Sequence, residues 1–232
     1  MVNPRNLKKF VEATKCYLLF NGDNLKQIKK LFLSVIDRDE NKYFEFEKVL
    51  PSLKEALDAD LKFFMESDPA AESENEILLA YPGYKAISSY RIAHEIHKLG
   101  YHLQARMITE GAHSITGIDL HPASKLASPL FIDHGTGIVV GETTISGKNL
   151  KLYQGVTLGA LSLKDGSKIR GMKRHPTIGE NVIIYSGASI LGDITIGDDV
   201  TIGSNVFITE SIPSNVKVTF SKPSLVITEN KR

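Results

Sequence analysis

Residues 178–208 read IGENVIIYSGASILGDITIGDDVTIGSNVFI, and every sixth residue of this stretch is isoleucine. Neither an α-helix, which repeats every 3.6 residues, nor a flat strand, which alternates every two, produces a period of six. A parallel β-helix does, because each short side of its coil contributes one inward aliphatic residue at the same height. Three hexads close a triangular coil, and successive coils stack as parallel strands about 4.8 Å apart. The six positions are Ile178, Ile184, Ile190, Ile196, Ile202 and Ile208.

The same period runs upstream in a different phase. Six of its seven positions are aliphatic and Thr144 is the exception, so thirteen positions follow the rule with one lapse. An ordinary β-sandwich with coincidental spacing is the alternative that this regularity disfavours. Gly179 and Gly197 follow isoleucines of the repeat, and we expect them at corners that need a positive φ. The upstream positions are Leu120, Leu126, Ile132, Ile138, Thr144, Leu150 and Val156.

Residues 1–116 have another character, because glycine is sparse there and apolar residues recur at helical spacing. We therefore predict an α+β chain, with an all-helical N-terminal domain over 1–116 and a parallel β-helix over 117–210. The tail 211–232 leaves the repeat, and we expect it to cap the open end of the prism, where strand edges are exposed. The predicted helices lie near 3–21, 24–38, 43–66, 83–98 and 101–116.

Composition limits the possible classes of function. The chain has 232 residues and a formal net charge of +1, which gives no general electrostatic reason to bind nucleic acid or an anionic membrane. No apolar run approaches the roughly 18 residues of a membrane span, and the N-terminus MVNPRNLKKF lacks the features of a secretory signal. The single cysteine, Cys16, excludes an internal disulfide and suits a reducing compartment. We therefore expect a cytoplasmic protein that binds neither nucleic acid nor membranes.

The repeat is interrupted by one segment. The step from Val156 to Ile178 is not a multiple of six, so we expect about four extra residues to leave the coil in a loop at 159–176. This loop carries five basic residues against one acid. It is either a solvated surface excursion or a mobile arm over an anionic ligand, and charge alone leaves both open. Its charged residues are Lys164, Asp165, Lys168, Arg170, Lys173 and Arg174.

Three short polar clusters in the β-helical part hold the residues suited to chemistry. Asp119 and His134 are separated by slightly less than one coil, which places them on adjacent coils near one corner. A histidine oriented by an aspartate is a suitable general base near neutral pH. No serine elbow, phosphate-binding loop or dinucleotide motif is present, so direct attack by a substrate is favoured over a covalent intermediate. The clusters are DLHP at 119–122, DHGTG at 133–137 with Glu142 after it, and RHP at 174–176.

Arg174 and His175 belong to the last of these clusters. The planar guanidinium of Arg174 suits a substrate carboxylate, because its fork matches two oxygens. His175 meets His134 either within one chain or across a subunit boundary, and the sequence leaves both arrangements open. For each histidine, the alternative is a side chain hydrogen-bonded into a turn. His94 and His97 lie three apart on one helical face, but no third zinc ligand accompanies them, which favours packing or surface roles.

Four longer motifs together resemble the serine O-acetyltransferases, a family of hexapeptide-repeat acyltransferases. They are DLHPASKL, LFIDHGTGIVVGETT, YQGVTLGA and RHPTIGENVIIYSGASILGDITIG. With SDPA at 67–70 and GYKAISSYRIAHEI at 83–96, the resemblance covers about residues 67–210. It implies a left-handed β-helix, a homotrimer that often pairs into a dimer of trimers, and acetyl transfer from acetyl-CoA to the hydroxyl of L-serine. The product, O-acetyl-L-serine, is a precursor of cysteine, which competes with serine in many members.

The resemblance also assigns roles to residues that match the family's motifs. It implies a general base, a carboxylate that orients it and a second histidine at the serine hydroxyl, which are His134, Asp119 and His175. It implies that Arg174 holds the serine carboxylate, that Asp68 and Asp133 hold the ammonium, and that Glu142 lies near the site. Acetyl-CoA as co-substrate, without a metal, would lie between adjacent prisms. The residues near it would be Gly159, Ala160, Tyr185, Ser186, Thr201 and Ser204.

The chain departs from the family in the coenzyme half of this expected site. Lys173 replaces an acid before RHP, Tyr185 and Ser186 occupy a corner that is usually built of small residues, and Thr201 stands where lysine is frequent. These changes bear on affinity for acetyl-CoA. The sequence ends in Lys231-Arg232, without the extended tail ending in isoleucine by which some members bind cysteine synthase, so we expect no such complex.

Three alternatives remain beside this interpretation. One is an acyltransferase for another small hydroxyl or amine acceptor, although two acids and an arginine suit an amino-acid zwitterion. Another is a zinc hydratase of the γ-carbonic-anhydrase type, which also forms a left-handed β-helix and needs three histidines converging between subunits. A third is a non-catalytic trimeric scaffold. The formal zinc ligands would be His121, His134 and His175.

Overall fold

The computed structural model describes residues 2–161 and 171–221. Its N-terminal part is helical, and five of its helices correspond to the predicted ones. The short helix α4 was not predicted. It begins at Ser73, whose Oγ accepts the backbone N–H of Glu76 at 3.2 Å, as a helix N-cap does. The described helices are α1 (Pro4–Phe20), α2 (Leu25–Val35), α3 (Glu40–Ser67), α4 (Glu74–Ala80), α5 (Pro82–Lys98) and α6 (His102–Thr116).

Aromatic rings hold the first three helices together. The ring of Phe10 on α1 lies 6.0 Å from that of Phe32 on α2 and 5.5 Å from that of Phe46 on α3, measured between centroids. All three side chains are fully buried, so their apolar surface contributes directly to the stability of this layer. No helix in the described part of the chain is long and apolar enough to cross a membrane.

The rest of the described chain forms short parallel strands in three sheets, which are the sides of a triangular prism. Side one has the order β1-β4-β7-β10-β13, side two β2-β5-β8-β11, and side three β3-β6-β9-β12-β14. The strands are β1 (Asp119–Leu120), β2 (Lys125–Leu126), β3 (Leu130–Asp133), β4 (Val139–Val140), β5 (Ile145–Ser146), β6 (Leu150–Tyr153), β7 (Thr157–Gly159), β8 (Thr177–Ile178), β9 (Ile183–Ile184), β10 (Ser189–Leu191), β11 (Thr195–Ile196), β12 (Thr201–Ile202), β13 (Phe207–Ile208) and β14 (Lys217–Val218).

The hexad residues fill the interior of the prism, which confirms the predicted β-helix. All six downstream isoleucines are at most 5% exposed, and Thr144, the apparent lapse, is fully buried as well. The pairing also explains the change of phase. Asp119 pairs with Val139, and Val139 pairs with Thr157 one regular coil of three hexads later. The step from Asp119 to Val139 is two residues longer than the step from Val139 to Thr157, and the two additional residues lie in the corner formed by 133–138.

Two edges of the prism carry the polar clusters. We call the edge between sides three and one, with residues 133–138, the DHGTG corner. We call the edge between sides one and two, with residues 121–124, 141–144 and 174–176, the RHP corner. Both edges lie beside the apolar interior, and the His134 side chain is exposed, whereas Ser124, Thr144 and His175 of the RHP corner are buried.

The connection between β7 and β8 spans 160–176, close to the predicted loop at 159–176, but it adds more residues to the coil than predicted. Leu158 pairs with Ile190, which lies nearly two coils further along the chain instead of one, so the expected excess of about four residues is wrong. The error has two causes. A count in steps of six determines the length of an insertion only to within a multiple of six. In addition, Val156 and Ile178 occupy different positions of the hexad, so the count began and ended at positions that are not equivalent. Residues 162–170, with Lys164, Asp165, Lys168 and Arg170, lie outside the described residues.

Asparagine and aspartate, rather than the predicted glycines, occupy the left-handed corner positions between sides two and three. Asn149, Asn181 and Asp199 have φ values of 61°, 57° and 56°. Their side chains form a ladder, in which Nδ2 of Asn149 donates to Asn181 at 2.8 Å and Nδ2 of Asn181 donates to Asp199 at 3.0 Å. Gly179 is needed for space instead, because an added Cβ would lie 2.7 Å from the carbonyl carbon of Gly197 on the next coil.

Strand pairing continues beyond residue 210. β14 pairs with β12, and Ile212 bridges to Ile196, so the described part of the tail adds to the last coil. Residues 222–232 lie outside the described residues, and the prediction that the tail 211–232 forms a cap stays a prediction.

A buried ion pair joins the helical domain to the prism. Asp60 on α3 is fully buried and accepts from Nε and Nη2 of Arg91 on α5, the second at 2.7 Å. The same carboxylate accepts the N–H of Leu130 at 2.9 Å and the hydroxyl of Ser128 at 3.1 Å, both at the start of β3. Nη1 of Arg91 donates to the carbonyl of Leu126 at 3.2 Å. One carboxylate thus fixes two helices against the first coil.

We expect Asp60→Ala to lower the free energy of unfolding by about 3–5 kcal/mol, because it leaves the Arg91 guanidinium buried without its partner. Urea denaturation at one protein concentration measures this loss. Asp58→Ala is the matched control. Asp58 also lies on α3, but its side chain is 56% exposed and pairs only with Lys54 at 3.5 Å, so its removal should cost less than about 1 kcal/mol. Equal losses in the two variants would contradict the role of Asp60.

Candidate active site

The DHGTG corner presents His134 to the outside of the prism. His134 adopts a left-handed conformation, with φ of 56°, and Gly135 and Gly137 follow with φ of 85° and 79°. An added Cβ on Gly135 would overlap the side chain of Ile118, so this tight turn requires glycine. The His134 side chain is 71% exposed, and its Nε2 lies 3.8 Å from Oδ1 of Asp133. The corner therefore holds an accessible imidazole beside a carboxylate.

A second carboxylate faces the same corner from the helical domain. Asp68, at the end of α3, accepts the N–H of Ala70 at 2.8 Å and the hydroxyl of Tyr81 at 2.7 Å. That hydrogen bond raises the pKa of Tyr81 to about 12, and the charge of Asp133 acts in the same direction. Burial raises the pKa of Tyr153, and the neighbouring Tyr185, Asp133 and Asp68 add to the effect. The charges of Asp68 and Asp133 thus both act on Tyr81 and Tyr153, and an electronegative region of this kind suits an ammonium group.

The RHP corner holds the other predicted histidine in one tautomer. Nδ1 of His175 accepts the backbone N–H of Thr143 at 3.1 Å and lies 2.8 Å from its hydroxyl, so the proton of the neutral ring is on Nε2. Thr143 Oγ1 in turn accepts the N–H groups of Arg174 and His175. Burial, followed by the charge of Arg174, lowers the pKa of His175 to about 4. At neutral pH this ring is an uncharged N–H donor.

Glu142 and Arg174 form an ion pair beside His175. The hydrogen bond from Arg174 lowers the pKa of Glu142. Below them on the same corner lies His121, whose Nδ1 accepts the N–H of Ala123 at 3.1 Å. Burial lowers the pKa of His121, as does the charge of Arg106. Nη2 of Arg174 contacts Oε2 of Glu142, while its Nη1 donates to the carbonyl of Met172 at 3.2 Å.

The predicted acceptor residues therefore divide between two edges of the prism. Side one separates the DHGTG corner, with Asp68, Asp133 and His134, from the RHP corner, with Arg174 and His175. A single chain brings together the members of each set and keeps the two sets apart. The sequence left this point open, because hexad spacing assigns residues to coils without fixing which edges meet.

Asp119 has a different partner from the one expected. It starts side one, and its Oδ1 lies 3.4 Å from Nη1 of Arg106 on α6. Arg106 also pairs with Glu110. The prediction that Asp119 orients His134 stays a prediction, and Arg106 is the competing partner for its carboxylate.

The predicted coenzyme residues show the same division. Gly159 ends β7 and is followed by Ala160 at the edge that also bears the RHP corner, whereas Tyr185 and Ser186 lie above the DHGTG corner on later coils. Thr201 is on the outer face of side three, and Ser204 lies 3.2 Å from Ser186 between their hydroxyl oxygens. The residues expected to bind the coenzyme, like those expected to bind the acceptor, therefore lie on two different edges of one chain.

Tyr185, the bulky residue expected to narrow the coenzyme corner, packs against a neighbouring tyrosine. Its ring stacks on that of Tyr153 on the preceding coil, with centroids 5.0 Å apart and an interplanar angle of 26°. Tyr153 in turn contacts Phe131 edge to face at 6.3 Å. The ring of Tyr185 therefore lies along the prism, one coil back, and remains 38% exposed.

Sequence reasoning missed several residues that shape these corners. Tyr81 lies outside every quoted motif, and Tyr153 opens the motif YQGVTLGA without any sign of a role, since both act beside Asp68 and Asp133 only after folding. Thr143 stood within the quoted GETT motif, but its bond to His175 joins positions that are far apart in the sequence. Gly141 is needed because an added Cβ would overlap the His175 ring.

The histidines proposed as zinc ligands do not converge within one chain, since His134 lies at one corner and His121 and His175 at the other. His94 bonds instead to the carbonyl of Pro122 at 2.8 Å. Among the described residues, three possible ligand atoms lie within 4.8 Å of one another, on Glu110, His113 and Asp119. Arg106 pairs with both of the acids, so a guanidinium already neutralises this cluster.

The prism and its divided polar site define the class of the protein. Residues 175–210 match the family model described as bacterial transferase hexapeptide (six repeats). The chain is 48% identical over 172 residues to a plasmid serine acetyltransferase of Synechococcus elongatus, which covers 73% of this chain and 54% of that relative. It is 42% identical over 170 residues to serine acetyltransferase of Helicobacter pylori strain 26695, covering 73% and 96%. The chain belongs to the serine acetyltransferase family, whose members are acyltransferases.

Solved structures agree with this assignment. A serine acetyltransferase isoform 3 of Entamoeba histolytica in complex with cysteine has a TM-score of 0.84 at 33% identity, covering 95% of this chain and 84% of that one. A Neisseria gonorrhoeae serine acetyltransferase in complex with serine gives 0.72 at 31% identity, covering 92% and 82%. A serine acetyltransferase in complex with CoA gives 0.67 at 33% identity, covering 76% and 71%. The predicted fold class, helices followed by a left-handed parallel β-helix, is confirmed.

We expect Gly141→Ala to reduce kcat by about 100-fold or more, because the new methyl group displaces the His175 ring from its place beside Thr143. Gly111→Ala is the matched control, since a Cβ there meets no atom within 4 Å. Steady-state kinetics and circular dichroism on both variants separate a local displacement from a folding defect. Normal kcat in Gly141→Ala would show that the position of the His175 ring is unimportant.

A second expectation concerns the pH dependence of stability. The unfolded chain protonates His175 near its ordinary pKa of 6.5 and the folded chain only near 4, so the unfolded state binds more protons between these values. This contribution to stability is complete above pH 6.5 and is lost as the pH falls towards 4. Urea denaturation should therefore show a shallower loss of stability from pH 7 to 4.5 in His175→Gln than in the wild type. The two proteins should run parallel between pH 7 and 8, and parallel curves at all pH values would contradict the assignment.

Proposed function

We propose that this chain transfers the acetyl group of acetyl-CoA to the hydroxyl of L-serine, giving O-acetyl-L-serine and CoA. The observation that carries the proposal is the division of charge between the two corners. Asp68 and Asp133 suit an ammonium, and the guanidinium of Arg174 suits a carboxylate that would share it with Glu142, so together they match an amino-acid zwitterion. The relatives in complex with serine and with CoA support the same two substrates.

The proposal requires a neighbouring copy of the chain. In a homotrimer whose threefold axis lies outside the prisms and parallel to them, the DHGTG corner of one subunit would face the RHP corner of the next, and each interface would complete one site. The helical domain, which extends away from the prism, would pair two trimers into a hexamer. This assembly explains why one chain keeps His134 and His175 on separate edges.

The chemistry follows from the state of each side chain. His134 takes the proton of the serine hydroxyl, whose oxygen attacks the thioester carbonyl. The carbon–sulfur bond then breaks, and CoA leaves as a thiolate that takes up the proton. Neutral His175, with its proton on Nε2, donates a hydrogen bond at the reacting oxygens instead of competing as a base. Asp119 orients His134 after exchanging its contact with Arg106.

Acetyl-CoA would run between adjacent prisms, past Gly159 and Ala160 of one subunit and Tyr185, Ser186, Thr201 and Ser204 of the next. The stack of Tyr185 on Tyr153 keeps the tyrosine ring along the prism, which favours an open groove. No metal takes part in this scheme. Cysteine, which lacks only the hydroxyl oxygen of serine and carries sulfur instead, would compete at the same zwitterion site. A cytoplasmic location is consistent with the single unpaired Cys16.

The experiment that tests the proposal is release of CoA from acetyl-CoA, followed with a thiol reagent, with and without L-serine. We expect release that depends on serine and yields O-acetyl-L-serine by mass spectrometry. Release of CoA that requires another small amine or alcohol in place of serine would identify that compound as the acceptor. Binding of CoA without release for any acceptor would contradict the proposed reaction.

His134→Ala supplies the internal control for that assay. Loss of the base should lower kcat by about 10²–10⁴-fold and leave binding of CoA intact, because His134 lies on the outer corner and supports no part of the apolar interior. Near-normal turnover in this variant would remove His134 from its role. His113→Ala, which changes an exposed histidine of α6, should keep full activity.

A further inference from the structure

Helices α1, α5 and α6 enclose a groove in the helical domain that the acetyl-transfer scheme does not use. Its volume is about 710 Å³, within the range of small-molecule sites, and no residue of either corner lines it. Most of its wall is apolar. The apolar lining residues are Leu7, Val11, Met107, Ile108, Ala112 and Ile115.

One end of the groove is built around Lys15. Its Nζ donates to the carbonyl oxygen of Lys85 at 3.0 Å and to Oγ of Ser89 at 2.8 Å, both of them uncharged acceptors on α5. Burial, followed by the charge of Lys85, lowers the pKa of Lys15 to about 7, while Glu12 acts in the opposite direction. An ammonium in this place is solvated by two dipoles, and no acid among residues 2–161 and 171–221 forms an ion pair with it, although the charge of Glu12 acts on it.

The charges around Lys15 leave this end positive. Lys85 also lines the groove and lies near enough to depress the pKa of Lys15. At the rim, Lys8 and Glu12 face each other at 3.9 Å, with side chains 71% and 61% exposed, and largely cancel. The groove thus joins a cationic end formed by Lys15 and Lys85 to an apolar wall, which is complementary to a monoanion with an apolar body.

We propose that this groove binds a small amphipathic carboxylate, whose anionic end pairs with Lys15 and Lys85 and whose apolar end packs on Leu7, Val11 and Met107. A bound carboxylate supplies the missing counter-charge and favours the protonated form of Lys15. Binding at pH 7 is therefore coupled to proton uptake. The proposal stands apart from acetyl transfer, since it uses no residue of the two corners.

Isothermal titration of octanoate into the full chain at pH 7, in two buffers of different ionisation enthalpy, tests this directly. We expect uptake of about half a proton per octanoate, because Lys15 is about half charged at that pH before binding. Lys15→Met should weaken binding at least tenfold and abolish the uptake. Lys9→Met, which changes an exposed lysine of α1 that does not line the groove, should bind octanoate as the wild type does.

Several results would overturn the proposal. Equal affinity for octan-1-ol would mean that the groove recognises only apolar bodies, and equal affinity for acetate would mean that it recognises only anions. Absence of binding at millimolar octanoate, or binding unchanged in a folded Lys15→Met variant, would remove the site. If Lys15→Glu alters the sedimentation coefficient while octanoate does not bind, the groove is a contact between copies of the chain. None of these results bears on serine-dependent release of CoA.

Discussion

The burial of the inward residue of each hexad is the constraint on which the rest of this structure depends. Most sides of the coils bury an aliphatic side chain, with Thr144 and Ser146 as buried polar exceptions, so the interior offers little room for charged groups and chemistry is confined to the edges. The DHGTG corner shows how an edge acquires a function. The additional chain between β3 and β4 leaves the interior intact and turns His134 outward, with Gly135 accommodating the turn beside Ile118. The same triangular section keeps His134 and His175 on different edges, which makes a second copy of the chain part of the proposed site.

A buried ion pair is one of the contacts that join the helical domain to the prism. Asp60 and Arg91 fasten α3 and α5 to the start of β3, and Asp68 at the end of α3 reaches the DHGTG corner from there. The acid pair of Asp68 and Asp133 therefore depends on a buried ion pair that touches neither residue. A buried ion pair is weak evidence for added net stability. It does fix the relative orientation of the elements that it joins, because displacing either partner leaves a buried charge without its counter-charge.

Much of the fold follows from the sequence because a strict period of six admits few structures. The isoleucines at 178–208 predicted the prism, and the motifs shared with the serine acetyltransferases supplied the candidate site residues, whose roles stay predictions. What the period could not supply was everything that depends on contacts between distant coils. Thr143, which is distant in the sequence, fixes the tautomer of His175 by a hydrogen bond. The ring of Tyr153 stacks on that of Tyr185. Arg106 of the helical domain pairs with Asp119 of the β-helix. The size of the excursion after β7 was misjudged because a hexad count is blind to whole multiples of six.

The central claim is that each site is completed by two copies of the chain. Its most direct test is complementation between His134→Ala and His175→Ala, each inactive alone, after unfolding and refolding together in equal amounts. Random mixing leaves about a quarter of the interfaces with both histidines, so the account predicts recovery of about a quarter of wild-type serine-dependent CoA release. If mixed assemblies form and no activity returns, both histidines act within one chain or one of them does not act at all, and the account is contradicted.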